Sequence, residues 1–192
     1  YKDAFCVAGT HGKTTTTSML TQILFGSGLD ISAFIGGKLP VINGSGRAGT
    51  SDIMTCEACE FVDTFLKLYP DVAVILNIDA DHLDYFKTVD NIIKSFNKFC
   101  NNTTKAIIYN GDDENTVKAV SSVLGKEKIT FGLSDKNDFY PENIERINGM
   151  TTEFDLIHKG EKLIRLTVSV PGEHNILNAL AASAAAYYAG VN

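Results

Sequence analysis

The stretch from Ala4 to Thr16 reads AFCVAGTHGKTTT, and it decides the fold of this chain. Its first five residues are apolar and predict a buried strand from Ala4 to Ala8. After the glycine-containing loop, apolar residues recur at helical spacing, which predicts a helix from Thr14 to about Phe25. A strand, a glycine loop and a helix in this order are typical of an α/β domain whose loop can hold a phosphate group.

The loop carries the residue types that phosphate binding needs. Backbone N–H groups at a helix start point outward with partial positive charge, and Gly9 and Gly12 let the backbone wrap an anion without Cβ clashes. Lys13 can reach phosphate oxygens, and the Thr14 hydroxyl can ligate Mg²⁺. The general P-loop has a further glycine where this chain has Val7, so the loop could also be a glycine turn that begins a threonine-rich helix.

Length and composition restrict the class of protein. With 192 residues the chain fits one domain, and its 44% apolar and 21% charged content is ordinary for a globular protein. The net charge of −6 argues against a nucleic-acid partner, and no apolar run is long enough to span a membrane. No signal peptide is evident, and both ends of the chain are abrupt, so we expect a fragment of a longer protein.

The remaining sequence alternates between strand and helix patterns and then changes character. Period-two stretches over 143–170, around the turns Asn148-Gly149 and Lys159-Gly160, predict antiparallel hairpins. The patterns together predict an α/β fold class: a P-loop-type three-layer domain with a mostly parallel sheet plus a small antiparallel hairpin appendage. The other predicted elements are strands at 31–35, 53–56, 72–78, 105–109 and 128–131, helices at 88–100, 113–124 and 175–189, and a flexible glycine-rich loop at 36–50.

Carboxylates and a histidine follow two of the predicted strands. Glu57 lies just beyond one of them, and the segment NIDADHLD, which contains His82, lies beyond the next. Because the carboxyl ends of parallel strands meet at one edge, we expect both clusters beside the glycine loop. There they could hold Mg²⁺, or Mn²⁺ in view of the histidine, against ATP phosphates. Alternatively, Glu57 and Glu60 lie in a solvated loop, and His82 is a helix-capping or core histidine.

Two of the four cysteines, Cys56 and Cys59, have the CxxC spacing of redox and zinc sites. No second CxxC and no nearby HxxxH accompanies them, which argues against zinc. A thioredoxin-like site would sit at the start of a helix after a strand. A nonenzymatic redox or metal module therefore stays open as an alternative.

Four segments together resemble the Mur ligase family, the ATP-dependent amide-forming enzymes that build the peptidoglycan stem peptide. They are GTHGKTTT at 9–16, EACE at 57–60, NIDADHLD at 77–84 and PGEHNILN at 171–178. The resemblance extends over essentially the whole chain. It departs at Cys59 and Phe61, where the family's EADES has aspartate and serine, and this puts a metal-side role of position 59 in doubt.

The resemblance implies a role for each matching residue. The implied catalytic residues are Lys13, Glu57 and His82, and the implied metal ligands are Thr14 and Glu57 for a first Mg²⁺ and His82 for a second. The residues implied to bind ATP are Gly9, Thr10, His11, Gly12, Lys13, Thr14 and Thr15 on the phosphates, and His174, Asn175 and Asn178 on the adenine side. From their position alone, Asn175 and Asn178 could instead cap the last helix and make surface hydrogen bonds.

Within the family, the segments favour the member that adds L-alanine to UDP-N-acetylmuramate, through an acyl phosphate, in peptidoglycan precursor synthesis. The resemblance implies a cytoplasmic bacterial ligase. Residues 1–192 would be its central ATP-binding domain, between a UDP-sugar domain and a C-terminal domain that this chain lacks. Sister ligases acting on muropeptides or folylpolyglutamate are alternatives. A P-loop kinase or GTPase is a further alternative, against which the sequence has no guanine-specific NKxD motif.

Overall fold

Ten strands form a single sheet in the computed structural model, which describes residues 1–191. The strands are β1 Asp3–Ala8, β2 Ser32–Leu39, β3 Gly44–Arg47, β4 Ile53–Glu57, β5 Val72–Ile75, β6 Ala106–Asn110, β7 Glu127–Phe131, β8 Phe139–Arg146, β9 Thr152–His158 and β10 Glu161–Val168. Their order across the sheet is β10-β9-β8-β7-β6-β5-β1-β4-β2-β3. The run from β8 to β2 is parallel, whereas β3, β9 and β10 pair antiparallel. The predicted mostly parallel sheet and its hairpin appendage are confirmed.

Five α-helices connect or follow the strands in the described residues 1–191. They are α1 Lys13–Gly26, α2 Leu83–Phe86, α3 Val89–Asn102, α4 Glu114–Ser121 and α5 His174–Tyr188, with short 3-10 segments at Pro40–Ile42 and Phe61–Lys67. Side-chain caps set two of the starts, because Thr88 accepts a hydrogen bond from the Asn91 N–H and Asp113 accepts one from the Thr116 N–H. No helix within residues 1–191 combines the length and apolar character needed to cross a bilayer.

Helices cover the parallel part of the sheet on both faces. Successive β1 side chains point to opposite sides, so Phe5 and Val7 belong to an apolar cluster with α1 and α5. Cys6 and Ala8 belong to a second cluster with α3 and α4. Strands covered on both faces are apolar throughout, which explains the continuous apolar runs in the sequence. The structure therefore has the three predicted layers.

Helix α5 is buried over most of its length. Eleven of its fifteen residues are buried, and it packs against α1 and the strands β6, β7 and β8. Its run of alanines gives high helix propensity and small side chains, so its backbone can approach the sheet closely. This packing brings the first turn of α5 beside the loop that precedes α1.

The structure differs from the sequence prediction near the glycine-rich segment. The flexible loop predicted at 36–50 is wrong, because β2 continues through Gly36 and Gly37 and the chain returns as β3, paired antiparallel with β2. Glycine is tolerated there because β3 is an edge strand. The strand predicted at 72–78 is shorter than expected and ends at Ile75. Helix α2 and the 3-10 segment that follows the EACE motif were not predicted from the sequence.

Two leucines test the position of the core. Leu20 in α1 is fully buried, whereas Leu124, after α4, is 83% exposed. We expect Leu20→Ala to lower the free energy of unfolding by about 2–5 kcal/mol, because it removes apolar contacts and leaves a cavity. Leu124→Ala should change it by less than about 0.5 kcal/mol. Urea unfolding followed by circular dichroism measures both values, and equal losses would contradict the assigned core.

Candidate functional site

The phosphate loop lies where three neighbouring parallel strands end. β1 is paired with β4 on one side and β5 on the other, with Val7 opposite Glu57 and Ala8 opposite Ile75. The carboxyl ends of these strands therefore meet at one edge of the sheet. The expectation that the loop and both clusters share an edge is confirmed.

The segment after β5 is hydrogen-bonded to the phosphate loop. The Thr10 N–H donates to the Asn77 carbonyl at 3.0 Å, and the Asp79 N–H donates to the Thr10 hydroxyl at 2.9 Å. The Asn77 side chain accepts from the His11 N–H at 2.8 Å and donates to the His11 carbonyl at 3.0 Å. Asn77 thus pairs with His11 much as a neighbouring strand would. These four bonds define the loop shape although Val7 replaces the usual first glycine.

Two positions in the loop require glycine. Gly9 has a φ of 151°, and a Cβ there would lie 2.9 Å from the Leu76 Cβ. Gly12, directly before α1, has a φ of 86°, and a Cβ there would lie 2.4 Å from Asn178 Oδ1. Both φ values are strained for residues that carry a side chain. The loop can therefore follow this path only with glycine at both positions.

An open hollow of about 340 Å³ lies over the start of α1. It is lined by Thr10, His11, Gly12, Lys13, Thr14 and Thr15. These are six of the seven loop residues expected to hold phosphates, and the seventh, Gly9, makes the turn that precedes them. The first turn of a helix presents unpaired N–H groups, so the hollow suits an anion.

The Lys13 ammonium group has three acceptors in the protein. Nζ donates to the carbonyls of Gly9 at 2.6 Å and Thr10 at 3.2 Å. The third acceptor is the Glu60 carboxylate, with Oε1 at 3.2 Å and Oε2 at 3.0 Å. Glu60 is 2% exposed, so the alternative that it lies in a solvated loop is wrong. Glu60 was not predicted as a site residue, although it is the second carboxylate of the EACE motif.

Thr14 and Glu57, the expected ligands of a first Mg²⁺, are in contact. The Thr14 hydroxyl donates to Glu57 Oε1 at 2.9 Å, and the Gly36 N–H donates to Oε2 at 2.7 Å. A Cβ at Gly36 would lie 2.7 Å from that oxygen, so the small residue leaves room for the carboxylate. Hydroxyl and carboxylate oxygens are the donors that Mg²⁺ prefers, so this pair fits the ion.

His82, the expected ligand of a second Mg²⁺, lies beside Phe61 and Asp81. Its ring packs on Phe61 at a centroid distance of 4.8 Å, and its Nδ1 is 3.8 Å from Asp81 Oδ1. The His82 backbone has a φ of 50° at the start of α2, and its side chain makes no capping hydrogen bond. Neither the capping nor the core alternative therefore describes His82, which is partly exposed. Its contact with Phe61 occurs at a position where the chain departs from the family pattern.

The two asparagines of α5 are buried beside the loop. Asn175 Nδ2 donates to the Pro171 carbonyl at 2.7 Å, and Asn178 Nδ2 donates to Asn175 Oδ1 at 2.9 Å. The Thr16 hydroxyl donates to Asn178 Oδ1 at 3.2 Å. Asn175 and Asn178 are 3% and 5% exposed, so the surface hydrogen-bonding alternative is wrong for both. They connect α5 to the first turns of α1.

A cleft of about 410 Å³ adjoins the loop. It is lined by His11, Gly12, Leu76, Asn77, Phe131, His174, Leu177 and Asn178. Of these, Leu76, Asn77, Phe131 and Leu177 were not expected from the sequence. Asn77 is the first residue of the NIDADHLD segment, which was an available signal. Phe131 ends β7, and its place beside the loop depends on the order of strands in the sheet. The cleft has mainly apolar walls and a few amide and imidazole groups, which suits a flat heterocycle.

The two CxxC cysteines have different neighbours. Cys56 lies opposite Cys6 on the adjacent strand, whereas Cys59 is exposed beyond the strand end. The interaction between the Cys6 and Cys56 thiols raises the pKa of Cys6, with burial adding to the effect, and lowers the pKa of Cys56. All four cysteines are free thiols. Across residues 1–191, no three His, Cys, Asp or Glu side chains are grouped so that they could hold a metal ion.

The glycine loop after the central strand, its helix and its carboxylate neighbours define a P-loop-type α/β domain. Comparison with protein families gives a more specific assignment. Residues 7–186 match the family described as "Mur ligase middle domain", and the chain belongs to this family.

A curated relative and two solved structures extend the comparison. "UDP-N-acetylmuramate--L-alanine ligase" of Caldanaerobacter subterraneus subsp. tengcongensis is 41% identical over 194 residues, covering 100% of this chain and 42% of the relative. The UDP-N-acetylmuramate-alanine ligase of Thermotoga maritima is 28% identical with a TM-score of 0.83, covering 100% of this chain and 42% of that chain. The UDP-N-acetylmuramate:L-alanyl-gamma-D-glutamyl-meso-diaminopimelate ligase of Neisseria meningitides is 27% identical with a TM-score of 0.81, covering 98% and 62%. The chain thus spans about two fifths of the curated relative's length.

Two glycines at opposite ends of α1 test the shape of the loop. Gly12→Ala would place a Cβ against Asn178 at a positive φ, whereas Gly26 has no atom within 4 Å of such a Cβ and a helical backbone. We expect Gly12→Ala to destabilise the domain by about 1–3 kcal/mol. Gly26→Ala should leave stability unchanged or raise it by up to about 1 kcal/mol. Thermal unfolding of both variants checks this, and a neutral Gly12→Ala would refute the loop geometry.

Proposed function

We propose that this chain is the ATP-binding domain of a ligase that joins L-alanine to UDP-N-acetylmuramate. The observation that carries the proposal is the continuity of the two depressions, because His11 and Gly12 line both the hollow on the loop and the neighbouring cleft. A nucleotide can therefore lie with its phosphates on the loop and its base in the cleft. The 41% identity over the whole chain to a relative called UDP-N-acetylmuramate--L-alanine ligase supports this reaction.

The phosphate end of ATP is proposed to lie in the hollow over α1. The N–H groups of the first turn and Lys13 would bind phosphate oxygens there. The adenine would lie in the cleft, against Phe131 and the side chains of His174 and Asn178. Buried Asn175 holds Asn178 by a hydrogen bond, so it would act on the base through that neighbour.

Mg²⁺ is proposed to bind between Thr14 and Glu57, whose oxygens already face one another. A second ion is proposed at His82, and Mn²⁺ could replace Mg²⁺ there because imidazole is a softer ligand. Bound divalent cations would supply positive charge to the phosphate oxygens. The Thr14 hydroxyl, which donates its hydrogen to Glu57, still has lone pairs on its oxygen that could bind the ion.

The proposed reaction has two steps. In the first, the carboxylate of UDP-N-acetylmuramate attacks the γ-phosphorus of ATP, which forms an acyl phosphate and releases ADP. In the second, the amine of L-alanine attacks the acyl carbon, which forms the amide and releases phosphate and a proton. The first step brings two anions together, so its barrier depends on positive charge at the transferring group. Lys13 and the loop N–H groups would supply the share of this positive charge that comes from this chain.

A sister ligase is the second candidate. The Neisseria enzyme acts, by its name, on a tripeptide, and its structure matches this chain with a TM-score of 0.81. The 41% identity to the alanine-adding relative over the whole chain favours the first candidate. Since the chain spans two fifths of that relative, the UDP-sugar and amino acid are proposed to bind largely to flanking domains. A reaction that uses ATP and a nucleotide sugar is consistent with a bacterial cytoplasmic location.

The role of Lys13 can be tested on the chain itself. We expect Lys13→Ala to weaken ADP and tripolyphosphate binding about 10- to 100-fold, because it removes a charged hydrogen-bond donor to phosphate. Lys98→Ala, an exposed lysine on α3, removes the same charge away from the site and should leave affinity unchanged. Isothermal titration calorimetry measures both. Equal affinities for the Lys13 variant and the unaltered chain would refute the assigned role.

The reaction can be tested with the complete ligase that contains this chain. We expect ATP-dependent phosphate release to require UDP-N-acetylmuramate together with L-alanine, and to fall with glycine or L-serine. The chain alone should release little phosphate, because the proposed substrate sites lie largely outside it. A preference for the tripeptide L-alanyl-γ-D-glutamyl-meso-diaminopimelate would instead identify the sister ligase.

A further inference from the structure

All three N–H donors of the Lys13 ammonium group have protein acceptors, namely the Gly9 carbonyl, the Thr10 carbonyl and the Glu60 carboxylate. A phosphate oxygen can therefore bind Lys13 only if one of these bonds weakens. Of the three acceptors, only Glu60 carries a formal charge. Its attraction for Lys13 is therefore ionic, as the attraction of phosphate for Lys13 would be.

The Glu60 carboxylate depends on Lys13. Its Oε1 accepts a hydrogen bond from Nζ, and its buried Oε2 faces the same ammonium but accepts no directed hydrogen bond. No other donor among residues 1–191 reaches this carboxylate. A buried carboxylate that loses its cation retains its desolvation cost without compensation. Moving Lys13 away from Glu60 towards phosphate is therefore unfavourable.

We propose that Glu60 is a positioning residue that competes with phosphate for Lys13 and thereby lowers the phosphate affinity of the loop. The inference rests on the proposed function, since it takes the loop as the site of the ATP phosphates. Two effects act in the same direction: Lys13 must weaken its ion pair, and the buried carboxylate repels the incoming anion. The same effects favour the release of ADP.

Glu57 provides a matched control within the same site. It is also a glutamate at the carboxyl edge of the sheet, but its oxygens accept from Thr14 and the Gly36 N–H, not from Lys13. Removing the charge of Glu57 makes the electrostatic potential at the loop less negative but leaves the Lys13–Glu60 ion pair in place. The difference between the two glutamates therefore isolates the competition for the lysine.

The test measures tripolyphosphate and ADP affinity by calorimetry in EDTA, so that no divalent cation contributes. Glu60→Gln keeps the side-chain size and an acceptor for Lys13 but removes the charge. We expect it to bind both ligands about two- to tenfold more tightly than the unaltered chain, with a smaller gain at high KCl. Glu57→Gln should gain less. A merely structural role of Glu60 would weaken binding, so the sign of the change is diagnostic.

A double-mutant cycle tests the route of the effect. The gain from Glu60→Gln should shrink in a Lys13→Ala background to the part that comes from relieved repulsion, because no lysine remains to be released. An equal gain in that background would overturn the competition, as would unchanged or weaker binding by Glu60→Gln alone. Unchanged binding in EDTA together with weaker binding in Mg²⁺ would also overturn it, by assigning Glu60 to the metal.

Two further outcomes are decisive. If Glu60→Gln does not fold, Glu60→Ser is measured in its place, and failure of both to fold would overturn the inference by making the pair a requirement of the fold. Failure of the unaltered chain to bind ADP or tripolyphosphate would overturn the proposed function together with the inference. Normal binding by the unaltered chain with the wrong sign for Glu60→Gln would overturn the inference alone.

Discussion

The pairing of β1 between β4 and β5 is the constraint on which the site depends. Parallel ladders on both sides of β1 fix where its last residue lies relative to Glu57 and to Ile75. The loop that follows β1 therefore lies beside the ends of β4 and β5, whatever side chains the loop carries. Two hydrogen bonds between the Asn77 side chain and the His11 backbone then fix the loop conformation. Helix α1 begins directly after this loop, and the N–H groups of its first turn face the hollow above the loop.

Features encoded over short stretches of the chain were predictable from the sequence. The apolar run before Gly9 gives β1, because only a strand covered on both faces is apolar at every position. The start of α3 follows from the Thr88 cap, and the start of α4 from the Asp113 cap. The shared edge of the clusters also followed, since it needs only that the strands be parallel.

Features that depend on distant contacts were not predictable in the same way. Asn77 pairs with His11 across 66 residues, and Asn178 meets Thr16 across 162 residues. Surface hydrogen bonding was a reasonable alternative for Asn178, because neither its neighbours nor its spacing indicates that α5 packs on α1. The edge strand β3 was missed for a different reason. Its glycines lower strand propensity, and its pairing with β2 is not visible in the local sequence.

The charges around the loop explain why phosphate binding must rest on more than side-chain attraction. Lys13 is accompanied by Glu57 and Glu60, with Asp79 hydrogen-bonded to the loop through its backbone. The local balance of side-chain charge is thus negative, in a chain whose net charge is −6. A polyphosphate would be repelled by these carboxylates if lysine alone had to attract it. Backbone N–H groups of α1, together with the divalent cation proposed at Thr14 and Glu57, would therefore supply most of the attraction.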